Sequence, residues 1–162
     1  HAKLRSEKSG DTTIVKISMP LLAIYLDKNG DGKWATTDSL LLTDQALTNV
    51  VVSKPAAAPP EASVANPAAG LADGAGTCGT GVCCTQGSGT KPTWSDGYVN
   101  FCARTSPSLP PLAEDGAIFL ASSNSSVKEM WAIVMNRAKG VEPSLWTSDK
   151  APTVAADWRK VR

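Results

Sequence analysis

The chain contains a single histidine, and it stands at position 1. Without an imidazole elsewhere, no Ser-His-Asp or Cys-His arrangement can be drawn, which closes the commonest route to an activated nucleophile. Net charge is lacking too. Sixteen Lys and Arg oppose 15 Asp and Glu over 162 residues, a formal charge of +1, so no whole-chain field draws in nucleic acid or anionic lipid. Long apolar runs are absent: stretches such as Leu21 to Leu26 fall far short of the roughly 20 residues that cross a bilayer. No phosphate-cradling glycine loop or dinucleotide fingerprint precedes a helix. The adjacent carboxylates Glu114 and Asp115 lie before Gly116 and read as an exposed turn, not as a glycosidase pair. These absences exclude the usual enzyme constellations. The first residue is His1 and not methionine, which reads as a processed or truncated chain from which a signal or anchor segment has been removed.

What is present is organised around Leu21 to Ser53, where an acidic, glycine-punctuated loop joins two apolar runs of strand length. Asp27, Asn29, Asp31, Gly32, Lys33 and Asp38 fall at positions 1, 3, 5, 6, 7 and 12 of the calcium-loop pattern. Alternate side chains of a tight turn converge on one point, as a hard cation requires, and the glycine lets the carbonyl of Lys33 turn inward. Asp27, Asn29, Asp31, Lys33 and Asp38 are thus a candidate calcium site. The same Asn-Gly and Asp-Gly dipeptides also mark a solvated hairpin turn with no metal. Position 12 is the short Asp38, and position 9, Ala35, offers no side-chain ligand. The strand-length flanks and the single copy of the loop separate it from helix-loop-helix sensors and from dockerins.

Cys78, Cys83, Cys84 and Cys102 cluster in mid-chain, three of them in the glycine-rich run GTCGTGVCCTQGSG. An even number in a loop points to disulfides and an oxidising compartment. Four-cysteine zinc is the competing reading, but the vicinal pair strains a tetrahedral shell and C-x2-C spacing is absent. A bridge between neighbours is strained as well, so Cys83 and Cys84 are expected to pair one with Cys78 and the other with Cys102. Ahead of them, the segment from Pro55 to Gly76 is rich in alanine, proline and glycine, and reads as an exposed insertion.

Along the chain, Ala2 to Lys8 has helix formers that break at Ser9 and Gly10, and reads as the last turns of a helix. Expected strands are Thr12 to Ser18, Leu21 to Leu26, Ser39 to Leu42 and Ala46 to Ser53, then Thr93 to Ala103, Gly116 to Ser122, Glu129 to Asn136 and Ser144 to Thr147. The five tryptophans, spread through these strands, read as core and not as a stacking platform.

In this order the passages TTIVKIS, AIYLDKNGDGKWATTDSLLL, GAIFLAS and the C-terminal hairpin around Trp131 to Trp146 resemble the GspH/FimT group of type II secretion pseudopilins and type IV minor pilins. The resemblance implies one α+β, pilin-like domain over 1–162. The end of an N-terminal helix (1–9) would precede a β-rich head of two antiparallel sheets, with 55–92 as an insertion. It also implies a structural minor subunit whose partners are other pilin or pseudopilin subunits, without a small-molecule substrate. The removed helix would hold it to the inner membrane, the head being periplasmic until assembly into the fibre. Two alternatives stand beside it. One is a DNA-uptake pilin, for which the family's G-R-x-R element matches Gly140, Val141, Glu142 and Pro143 without either arginine, leaving Arg159, Lys160 and Arg162 as substitutes. The other is a secreted calcium-dependent adhesive domain.

Overall fold

The computed structural model describes residues 13–18, 21–29, 34–44, 48–64, 70–74, 94–101, 115–136 and 140–162. Ten strands follow in chain order: β1 (Thr13–Ser18), β2 (Leu21–Leu26), β3 (Ser39–Asp44), β4 (Val50–Val52), β5 (Leu71–Asp73), β6 (Tyr98–Phe101), β7 (Gly116–Ser122), β8 (Met130–Asn136), β9 (Gly140–Ser148) and β10 (Arg159–Lys160). Two single 3-10 turns, Trp94–Asp96 and Ala155–Asp157, complete the regular structure among the described residues. The first sheet has the order β3-β2-β1-β6, and the second β10-β9-β8-β7-β4 with β5 also paired to β7. Every pairing is antiparallel.

The expected α+β, pilin-like class is therefore corrected: the described residues are all-β, in two sheets, with no α-helix among them. The expectation rested on the family resemblance and on reading Ala2 to Lys8 as the last turns of a helix. By Thr13 the β-branched series Thr13, Ile14, Val15, Ile17 has already committed the backbone to a strand. Residues 1–9 themselves lie outside the described residues.

The second sheet is apolar on both faces because β7 and β8 alternate large side chains to each side. Ala117, Phe119, Ala132 and Val134 go one way; Ile118, Leu120, Ile133 and Met135 go the other. The first sheet covers the latter face, bringing Ile17, Leu22, Val99 and Phe101 onto it. Trp94 fits the same layer at Gly116, where any β-carbon would collide with its indole.

The opposite face is closed by the segment expected to be an exposed insertion. Pro55 and Pro59 are buried, and Ala58, Ala62 and Val64 pack against the cluster of Phe119, Val134, Trp146 and Trp158. Proline and alanine have little freedom to lose on ordering, so a layer of them forms at small entropic cost. Polar ties hold it in place: the Trp158 indole N–H donates to the Ala57 carbonyl at 2.8 Å, and the Asn136 amide donates to the Glu61 carbonyl. Trp94, Trp146 and Trp158 are all core residues, each under a tenth exposed.

Strand boundaries shift where the backbone must turn. Asn49, with a positive φ of 70°, delays β4 to Val50. Gly97, at φ 83°, separates the 3-10 turn from β6. β9 runs through Pro143 and is longer than the four residues expected.

Candidate functional site

The acidic loop leaves β2 at Leu26 and rejoins the sheet at Ser39, and these two residues are paired in register. Continuing that register outward sets Asp27 opposite Asp38 at the mouth of the loop. Both residues are only 7% exposed. Asp38 organises the return of the chain: its Oδ2 accepts the Ala35 N–H at 2.7 Å, its Oδ1 accepts the Lys28 N–H at 3.3 Å, and its own N–H donates to the Ala35 carbonyl at 3.1 Å. A single short carboxylate thus closes a backbone ring, which is what aspartate does well in turns. Asn29 is exposed. Asp31 and Lys33 lie outside the described residues.

The donor chemistry of the described part suits a hard cation in kind. Two buried aspartates flank the loop mouth, and an amide-bonded carboxylate oxygen still has a second lone pair to offer. In number it is incomplete, because no group of three metal-ligating side chains assembles among the described residues.

Sequence reasoning missed what anchors the loop. Trp34 lies edge-on to Tyr25, with ring centroids 5.9 Å apart, and the Lys16 ammonium sits 4.5 Å above the Trp34 ring and 5.8 Å from that of Tyr98. Strand alternation carries the signal in retrospect. Ile14, Lys16, Ala23 and Tyr25 share the outer face of the first sheet, and a tryptophan in the adjoining loop is the natural cover for it.

Between the sheets lies a cleft of about 180 Å³ whose walls are entirely apolar, formed among others by Val15, Ile17, Leu22, Phe101, Leu120 and Pro143. Among the described residues that line it there is no acid, base or nucleophile.

At the C-terminus, Arg159 and Lys160 form β10 and Arg162 is exposed beyond it. Arg159 bonds Asp149 at 3.3 Å. Lys160 reaches both carboxylate oxygens of Glu61, at 2.9 and 3.0 Å, with its ammonium 5.9 Å from the centre of the Trp146 ring. Two of the three cations that were to stand in for the missing arginines, Arg159 and Lys160, are thus engaged with acids of the same fold. Cys78, Cys83, Cys84 and Cys102 lie outside the described residues.

Comparison with family models, with curated proteins and with solved structures finds no match for this chain.

Proposed function

We propose that this chain is a non-enzymatic structural minor subunit of a type IV pilus or a type II secretion pseudopilus, working through contacts with other pilin or pseudopilin subunits. The wholly apolar cleft between the two sheets carries this reading, since a surface of this kind suits burial of apolar matter from a neighbouring subunit. The passages that resemble the GspH/FimT group support it, since they supply β1, β2, β3, β7, β8 and β9, the strands that make most of both sheets. In the proposal the subunit resides at the inner membrane facing the periplasm before assembly and in the fibre afterwards, and its β2–β3 loop binds one calcium ion that stiffens it. The acid-paired Arg159 and Lys160 favour this reading over DNA uptake.

Deletion of the coding sequence in the host cell tests it. Fewer surface fibres, or loss of type II secretion, restored by the unmodified chain, is the expected result. Normal fibres and normal secretion in the deletion strain would overturn it.

A further inference from the structure

Sheet edges expose unpaired N–H and C=O groups, and proteins protect the ones they do not use. Several edges here are protected. β10 has two residues, both basic; β9 carries Pro143, which has no N–H; β4 and β5 have three residues each, sharing one side of β7.

β3 differs from these. Its six residues, Ser-Leu-Leu-Leu-Thr-Asp, include no proline and no basic side chain, and β2 pairs along its inner side from Ser39 to Asp44. No described strand pairs with its outer side. Leu40 is 56% exposed and Leu42 41%. The register shift between Ile24 and Tyr25 leaves Leu41 unmatched, so Leu40 and Leu42 point to opposite faces and the edge offers one leucine on each.

We propose that the outer edge of β3 is a strand acceptor that binds an extended segment of a partner protein, apolar at alternate positions and basic at its ends. Main-chain hydrogen bonds would supply affinity, and the two leucines would supply contact on either face. Charge selects the partner. Asp38 and Asp44 bound the strand, Asp27 lies beside its first residue, and no basic residue occurs between Thr36 and Asn49, the nearest cations in sequence being Lys28 and Lys33 of the preceding loop. A second copy of β3 fits poorly, because antiparallel pairing centred on Leu41 sets Asp38 of one copy against Asp44 of the other, and like charges directly opposite destabilise a strand pair. The proposal stands independently of the fibre assignment.

The probe is a capped peptide of alternating valine and threonine with lysine at each end, and its counterpart with glutamate at each end, added to the full chain. The lysine peptide should slow amide hydrogen exchange across 39–44 and bind at least about tenfold more tightly than the glutamate peptide. Leu42→Lys, at an exposed position, should weaken binding by a similar factor with an unchanged melting temperature; Thr43→Lys serves if that variant misfolds. Protection that appears at another edge, equal affinity for the two peptides, or no binding at millimolar peptide would overturn the proposal. So would concentration-dependent dimerisation abolished by Leu42→Lys, which would assign the edge to a second copy.

Discussion

Replacing Gly116 by alanine would place a methyl group where the Trp94 indole lies, and a rigid ring cannot yield as a flexible side-chain end would. Overpacking of this kind costs about 1–3 kcal/mol, so Gly116→Ala should lower the urea midpoint correspondingly without changing the slope. An unchanged midpoint would show that the Trp94 contact is loose. Asp157 is a second residue whose role is local and testable. Its carboxylate pairs with Lys150 and accepts the backbone N–H groups of Thr153 and Val154, fixing the turn that delivers Trp158 to the face of Phe119. The Lys150 ammonium first, and then those two amides, hold its carboxyl well below the ordinary value of 3.8. A carboxyl with a depressed folded pKa stabilises fully above its unfolded value, and that contribution fades as pH falls through the folded one. Wild-type protein should therefore lose more stability than Asp157→Asn between about pH 4 and pH 2, and salt should narrow the gap because Lys150 is largely exposed. Parallel pH profiles for the two proteins would contradict this. Neither residue was singled out in the sequence for these roles. Gly116 reads there only as the residue closing a turn, and the use of Asp157 depends on a fold-back of the chain that no local pattern announces.

At the scale of elements, strands were legible wherever side chains alternate or β-branched residues accumulate, as in Thr13 to Ser18 and Gly116 to Ser122. The described part of the Pro55 to Gly76 segment is buried where exposure was expected, because burial was weighed by large apolar side chains, whereas small ones and prolines make this layer. The acidic loop matches a calcium-loop pattern in the sequence, and the structure adds that Asp27 and Asp38 are buried at its mouth while Asp38 already serves the backbone. A site with this ligand set should be weak, with a dissociation constant of about 10⁻⁴ to 10⁻³ M. Calcium at about 100 times that constant should add about 2.7 kcal/mol of stability, read as a higher melting temperature. Asp27→Ala should abolish the increase. Equal melting temperatures in excess calcium and in chelator would show that the β2–β3 connection is held without the metal.

For the whole molecule, charge balance and the pairing of Arg159 and Lys160 with Asp149 and Glu61 lead to one expectation about DNA. Duplex DNA at physiological salt should bind no better than the nonspecific range of about 10⁻⁴ to 10⁻⁶ M, and binding should vanish as salt rises. Submicromolar affinity lost on replacing Arg159, Lys160 and Arg162 by alanine would restore the uptake role. The all-β architecture itself follows from two sheets that share an apolar interface, with the Ala/Pro layer and the C-terminal turn closing the far side of the second. The proposed role in fibre assembly can be tested on the fibres themselves. The most direct measurement is an immunoblot of fibres sheared from host cells expressing the unmodified full-length chain, run beside the culture medium cleared of fibres. A minor subunit should be found in the fibre fraction, in smaller amount than the major subunit. A chain found only as free protein in the cleared medium would contradict it.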